Sequence, residues 1–317
     1  MIDVIALGEL LIDFATLSTD AEGYPTMAAH PGGAPANFLA ALTKFGAKTA
    51  LLGKVGSDTF GDLLLTTLEK TGIETKGMIR TDDIFTTLAF VTFDKDGDRK
   101  FAFARKPGAD TCLSFEEIDL SLIDEAKIFH FGTLSLTDEP AKTATQKCVE
   151  YAKSKGKVVT YDPNLRKPLW NDLEEAKAQL LWGLRYADVV KISDEEVEFL
   201  FGLGVEDGAK HILENFGVQL VFVTCGADGC FFMNTQAKGH VPSLSGVKVV
   251  DTTGAGDIFG GSAVWKLLQL NQAPGTLNEE QLREVVTFAC TSAGLSTTKH
   301  GGISSIPEFG KVLESMG

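Results

Sequence analysis

The sequence predicts a doubly wound α/β fold, a mostly parallel sheet with helices on both faces, carrying a small β-sheet lid near its start. Three observations predict it. Short runs that are apolar throughout recur along the chain, as strands buried on both faces require. Stretches of helical period separate them, giving the alternation of a parallel sheet. Two further segments alternate polar and apolar residues instead, the pattern of a sheet with one open face. With 317 residues, 44% hydrophobic and 23% charged, the composition is that of an ordinary globular chain, which excludes disorder and low-complexity scaffolds.

The first buried run, residues 2–7, stops at Gly8, and similar runs follow at 49–53, 127–132, 157–161, 187–192 and 220–224. Helical stretches at 34–45, 58–71, 138–154, 171–186 and 206–216 lie between them, several with Gly near an end. Residues 12–31 and 85–106 are the β-alternating segments. The second holds Asp94-Lys95-Asp96-Gly97-Asp98, a turn signal between 86–93 and 100–105, and so reads as a hairpin. Alternation puts Phe101, Phe103 and Arg105 on one side of it and Ala102 and Ala104 on the other. Such a hairpin is either an edge packed on the core or a lid over a cleft. No internal repeat or disordered linker interrupts 1–317, so the expectation is one domain with a lid formed by about 12–31 and 85–106.

Charge and cysteine content narrow the function classes. The balance of 29 basic and 43 acidic residues, net −14, argues against nucleic acid and anionic membrane as partners. Five cysteines with no paired short spacing read as reduced thiols. No Lys or Arg precedes Lys44, and no apolar run reaches the roughly 18 residues of a membrane span, so a cytoplasmic location is expected.

The strongest local signal is Asp251-Thr252-Thr253-Gly254-Ala255-Gly256-Asp257, between a strand expected at 247–250 and a helix at 258–270. Two glycines at a helix mouth let backbone N–H groups converge where the helix dipole is positive, which makes an anion hole. Gly254-x-Gly256-x-x-x-Gly260 superficially matches a dinucleotide fingerprint, but no acidic-tipped strand follows about 20 residues later. A P-loop of the form Gly-x-x-x-x-Gly-Lys-Ser/Thr is absent. Asp257 is either a carboxylate complementing the dipole or a general base accepting a hydroxyl proton while the amides hold a phosphoryl group, and the second reading is preferred. Gly32-Gly33-Ala34-Pro35-Ala36-Asn37 opens the helix at 34–45. A structural cap explains the glycines and Pro35, whereas Asn37, with donors and an acceptor, suits a polyol hydroxyl, as does Asp13.

Residues Gly32 to Gly61, with Asn37, Gly53, Gly56, Asp58 and Gly61, together with Asp251 to Phe259, resemble the two signature regions of the ribokinase family of ATP-dependent sugar kinases. Between them, Asp162-Pro163-Asn164-Leu165-Arg166, Lys191-Ile192-Ser193-Asp194-Glu195-Glu196 and Val223-Thr224-Cys225-Gly226-Ala227-Asp228-Gly229 fall in the family's order. Phe101-x-Phe103-x-Arg105-x-Pro107-Gly108-Ala109-Asp110 is most similar to bacterial fructokinases.

The resemblance implies that Asp257 is the base and that Gly254, Ala255, Gly256 and Asp257 donate amides to the γ-phosphate. It places Asp13, Gly33, Asn37, Phe101, Phe103 and Arg105 around the sugar. It lines the nucleotide with Ser193, Thr224, Gly226, Ala227, Gly229, Gly256 and Cys290, with Asn164 and Arg166 nearby. ATP, Mg²⁺ and K⁺ are the implied cofactors, the K⁺ engaging Asp251, Thr253, Ser296, Lys299, Gly301 and Ser305. Two departures matter. The family's Asn-x-x-Glu is here Ser193-x-x-Glu196, which is also a helix capping box, so Glu196 joins a Mg²⁺ network through water. A position near the adenine that is often Asn in relatives is Cys290. The expected reaction moves the γ-phosphate of ATP to a primary hydroxyl of D-fructose. A 2-keto-3-deoxygluconate kinase, with Arg105 pairing the substrate carboxylate, and a catalytically silent sugar- or nucleotide-binding protein are the alternatives. The assembly to test is a homodimer through the β lid.

Overall fold

The computed structural model describes residues 1–93 and 99–316, so the expected turn at 94–98 lies outside the described residues. The strands are β1 (Ile2–Leu7), β2 (Leu11–Thr19), β3 (Pro25–Gly32), β4 (Thr49–Gly56), β5 (Met78–Thr81), β6 (Leu88–Phe93) and β7 (Arg99–Ala104). After them come β8 (Ala126–Gly132), β9 (Val158–Asp162), β10 (Val189–Ser193), β11 (Leu220–Thr224), β12 (Cys230–Asn234) and β13 (Lys238–Val241). The helices are α1 (Ala34–Lys44), α2 (Thr59–Thr71), α3 (Ser121–Glu125), α4 (Ala141–Ser154) and α5 (Leu173–Tyr186), then α6 (Asp194–Phe201), α7 (Val205–Phe216), α8 (Ala255–Leu270), α9 (Glu279–Ser296) and α10 (Phe309–Ser315).

A nine-stranded sheet runs in the order β13-β12-β11-β10-β9-β8-β1-β4-β5. Only β12 opposes its neighbours β11 and β13, and the other pairings are parallel. Strand β1 shows why its run is unbroken: Ile5 and Leu7 enter the core beneath α4 to α7, while Val4 and Ala6 enter the core beneath α1, α2 and α8. Both faces are therefore covered. The four lid strands form a separate sheet, β3-β2-β6-β7, whose outer face is held to α2 by Phe14, stacked on Phe90 and set edge-on to Phe60.

One expected strand is absent. Residues 247–250 carry the apolar β-branched signature, yet Val249 and Val250 are 58% and 43% exposed, and the segment meets no sheet edge. Its link to the core is the Val250 N–H donating to the Thr297 carbonyl. Helices α1 and α8 touch backbone to backbone, since a Cβ on Gly261 would lie 2.3 Å from the Phe38 carbonyl oxygen. The chain order reverses between β1 and β8, whose carboxyl ends open the crevice where such sheets bind ligands.

Candidate active site

A cavity of about 430 Å³ lies at that crevice, between the lid and the sheet. Asp13, His30 and Phe103 reach it from the lid, and Glu9, Gly33, Asn37, Leu134, Asn164 and Arg166 from the core. The 251–254 segment, Asp257 and Gly301 close its far side. Asp13 sits on β2, opposite His30 of β3, within the expected β-alternating segment.

Helix α8 begins at Gly254, whose φ of 75° suits glycine. Among the described residues, the N–H groups of Gly256 and Asp257 meet no acceptor, so they face outward from the helix mouth beside the Asp257 carboxylate. That carboxylate is buried. Asn37 donates to one of its oxygens at 2.9 Å, and Asn164 lies 3.5 Å from the other. Burial pushes the Asp257 pKa up, against the pull of the Asn37 amide, Lys191 and Arg166. The Oδ1 of Asn37 is buried with no partner, an acceptor beside the base that suits a substrate hydroxyl. Burial also pushes Asp13 up to about 6, with Arg166 pulling it down and Asp257 and Asp251 adding to the rise.

The phosphate side is assembled by buried charge. Lys191 on β10 pairs with Asp162 on β9 at 3.1 Å, and its ammonium lies 3.0 Å from the place a Cβ on Gly256 would take. Burial works against that charge, but Asp162, Glu196 and Asp257 around it hold the Lys191 pKa up. Glu196 makes the full capping box with Ser193, and its other oxygen accepts from the Leu165 N–H at 2.7 Å. Each oxygen thus keeps lone pairs for water but already serves a backbone donor, which fits contact with a divalent ion through water.

Of the residues expected around the nucleotide, Asn164 and Arg166 line the cavity and the others lie outside its lining. Ser193 and Thr224 are register partners at the carboxyl ends of β10 and β11, and Gly226, Ala227 and Gly229 form the tight turn that follows. Gly229, at φ 100°, passes 2.1 Å from the Val241 carbonyl oxygen as measured to a Cβ there, so only glycine fits. Cys290 is buried on α9 in an apolar cluster with Phe222 and Cys230, and burial pushes its thiol up to about 12.

The residues expected to hold a monovalent cation occupy two adjoining loops. Asp251 accepts from the Thr253 N–H and hydroxyl through one oxygen and from the Gly301 N–H through the other. Ser296 and Ser305 are buried at the ends of the second loop, and the Lys299 N–H donates to the Ser296 carbonyl. These residues offer a carboxylate, hydroxyls and backbone carbonyls, oxygens of the kind a hard cation takes.

Arg105 departs from its expected place. Strand β7 ends at Ala104, and the Arg105 side chain turns into the protein, 5% exposed and outside the cavity lining. Its donors go to Asp110, Thr137, Asp138 and the Leu134 carbonyl rather than to the cleft. The Phe101 side chain lies outside the described residues. Two charged groups had no expected role at all. Glu9, 3% exposed, accepts from the Ala34 N–H at 2.8 Å and so caps α1, and burial pushes it up to about 7. Lys191 is the other; its signal in the sequence was a lysine inside an otherwise apolar strand.

The pfkB family carbohydrate kinase pattern matches residues 1–308. Fructokinase-2 of Solanum lycopersicum is 41% identical over 313 residues, spanning 98% of this chain and 94% of that protein. The ATP-bound fructokinase of Xylella fastidiosa superposes with a TM-score of 0.90 at 31% identity, covering 99% of this chain and 98% of that one. A double mutant of Vibrio cholerae fructokinase, bound to fructose, ADP and potassium, superposes with a TM-score of 0.88 at 28% identity over 100% and 99% of the two chains. With a family match over nearly its whole length, a relative 41% identical, and an open helix mouth beside a buried carboxylate and a polar cleft, the chain belongs to the pfkB family of carbohydrate kinases.

Proposed function

We propose that the protein is a fructokinase, transferring the γ-phosphate of ATP to the primary C6 hydroxyl of D-fructose. The observation that carries this reading is the Asp257 carboxylate, held by Asn37 and facing the cavity in the same helical turn as the unengaged Gly256 and Asp257 amides. A sugar hydroxyl placed there loses its proton to Asp257 as its oxygen bonds to the phosphorus, and ADP leaves with the electron pair of the broken P–O bond. The amides and the Lys191 ammonium take up the charge on the phosphoryl oxygens. Asp13, Asn37 and the Gly33 backbone hold the sugar.

ATP follows the carboxyl ends of β10 and β11, along Ser193, Thr224 and the 226–229 turn. Mg²⁺ would be held through water by Glu196 and would neutralise phosphate charge. K⁺ would be held by the Asp251, Thr253, Ser296, Lys299, Gly301 and Ser305 loops and would firm the anion hole. A 2-keto-3-deoxygluconate kinase is disfavoured, because the Arg105 guanidinium that was to pair the substrate carboxylate is already bonded within the protein. The test is ADP release with ATP and Mg²⁺ against fructose, ribose, glucose and 2-keto-3-deoxygluconate. Fructose should give the highest kcat/KM, and activity should rise when K⁺ replaces a large organic cation at constant ionic strength. Preference for the keto acid would overturn the assignment.

A further inference from the structure

The four strands of the lid enter and leave the core at four roots: Glu9 before β2, Gly33 after β3, Thr87 before β6 and Arg105 after β7. A band of buried polar groups ties the last two of these together and joins them to β2, while Glu9 separately accepts the Ala34 N–H beside Gly33. Asp110 accepts the Thr87 hydroxyl on one oxygen and both Nε and an Nη of Arg105 on the other. The remaining Arg105 donors reach the Thr137 hydroxyl at 2.8 Å, Asp138 at 3.5 Å and the Leu134 carbonyl at 2.8 Å. Those contacts match the five N–H groups of a guanidinium, so none is left for a ligand. Thr87 in turn accepts the Ile12 N–H through its carbonyl, which joins the root of β6 to β2. There is no slack at this point: a Cβ on Gly108 would fall 1.8 Å from the Thr87 hydroxyl.

From this geometry we infer that Arg105 is a positioning residue that fixes the root of the lid to the wall of the sugar cleft, acting on the sugar without touching it. The inference rests on the sugar-kinase reading of the cavity. The guanidinium bonds the backbone of Leu134, which lines the cleft, and follows by two residues Phe103, which also lines it. A buried ion pair is a costly way to gain stability compared with apolar side chains of the same volume, whereas its fixed fork geometry defines direction as packing alone does not. Asp110 and Thr87 are the parts that give the fork its orientation. Reaching a sugar would require Arg105 to give up all of these partners and leave the Asp110 carboxylate buried without a counter-charge.

The experiment compares Arg105→Ala, Arg105→Lys, Asp110→Ala and the double variant Arg105→Ala/Asp110→Ala, with kcat and KM measured for fructose and for analogues each lacking one hydroxyl. Hydrogen exchange over residues 88–93 and 99–104 is followed alongside. A positioning role predicts that KM for fructose rises roughly tenfold to a hundredfold in Arg105→Ala. Every deoxy analogue should suffer the same factor within about twofold, and the double variant should be no worse than Asp110→Ala. Exchange in the lid strands should quicken, and Arg105→Lys should recover only part of the loss. If one deoxy analogue is insensitive to Arg105→Ala, the missing hydroxyl was its partner and the inference is overturned. Additive losses in the double variant, or unchanged exchange and KM, overturn it as well. Should Arg105→Ala not fold, Thr87→Val is compared in its place, since it removes the hydroxyl from the same collar. Failure of the fructokinase reading is seen separately, as a wild-type protein that releases no ADP with fructose.

Discussion

The proposed reaction concentrates the chemistry in one carboxylate, that of Asp257. Replacing it with Asn keeps a hydrogen-bonding side chain for Asn37 but removes the proton acceptor, so kcat should fall about 10²- to 10⁴-fold with fructose affinity changed only a fewfold. A steady-state assay with fluorescence titration of fructose measures both, and a fall below about tenfold would remove Asp257 from the role. Asp13 contributes to the pH dependence beside Asp257, whose pKa burial also raises. Burial places its pKa at about 6, so in the free enzyme kcat/KM for fructose should decline below about pH 6 as this acceptor becomes protonated. The stability effect has the opposite sense: because folding raises Asp13 above an unfolded value near ~4, ionising it opposes folding, and its contribution worsens as pH climbs from about 4 to about 6. A pH series of kcat/KM beside urea midpoints separates the two effects.

At the scale of elements, Asp58 joins helix α2 to the lid. One of its oxygens accepts from the Phe60 and Gly61 N–H groups at the start of α2, and the other accepts from Thr86 at the root of β6. Although burial works against the charge, these donors hold the Asp58 pKa below the usual range, so its support is present above about pH 4 and is lost as pH falls through the folded value. Asp58→Ala should cost about 0.5–2 kcal/mol in urea unfolding at neutral pH, and less in acid.

The elements also show what a sequence can disclose. Parallel strands such as β1 and β11 were legible because burial on both faces leaves an unbroken apolar run. The same signature misled at 247–250, where apolar residues line a cleft edge and a loop rather than a ladder. Strands β12 and β13 were not read: the apolar run of β12, Cys230 to Met233, follows β11 after only the short 226–229 turn with no helix between, and Lys238-Gly239-His240-Val241 of β13 has neither an apolar run nor alternation. At the site, Gly254 to Asp257 spoke through local backbone chemistry. Glu9, Lys191 and Arg105 acquire meaning only from partners far along the chain, which no local pattern reveals. Alternation fixed the face of Phe103 but was silent on where β7 stops, and one residue past its end Arg105 turned inward.

For the molecule as a whole, the proposed sugar cavity borders the lid while Ser193, Thr224 and the 226–229 turn, proposed for the nucleotide, lie at the ends of β10 and β11 outside it, so the two ligands should stabilise separately. At about a hundred times its Kd, each ligand should add about 2.7 kcal/mol. Differential scanning fluorimetry with fructose, with a non-hydrolysable ATP analogue and Mg²⁺, and with both should therefore give two shifts that sum. Asp257→Asn should keep the fructose shift. A fructose shift that appears only with nucleotide present would mean that the cleft is not formed until the nucleotide binds. Among the described residues no helix is long and apolar enough to cross a membrane.

Close contact of α1 and α8 at Gly261 bears on the precision of the reaction. Asn37 rides on one helix and Asp257 on the other, and with Phe38 resting against bare backbone the two helices behave as a single rigid block. The proposed base and the amide beside it are thus held at a fixed separation by packing in which the lid takes no part. Selectivity among sugars can then be altered from the lid side with no penalty to the spacing that governs the chemical step.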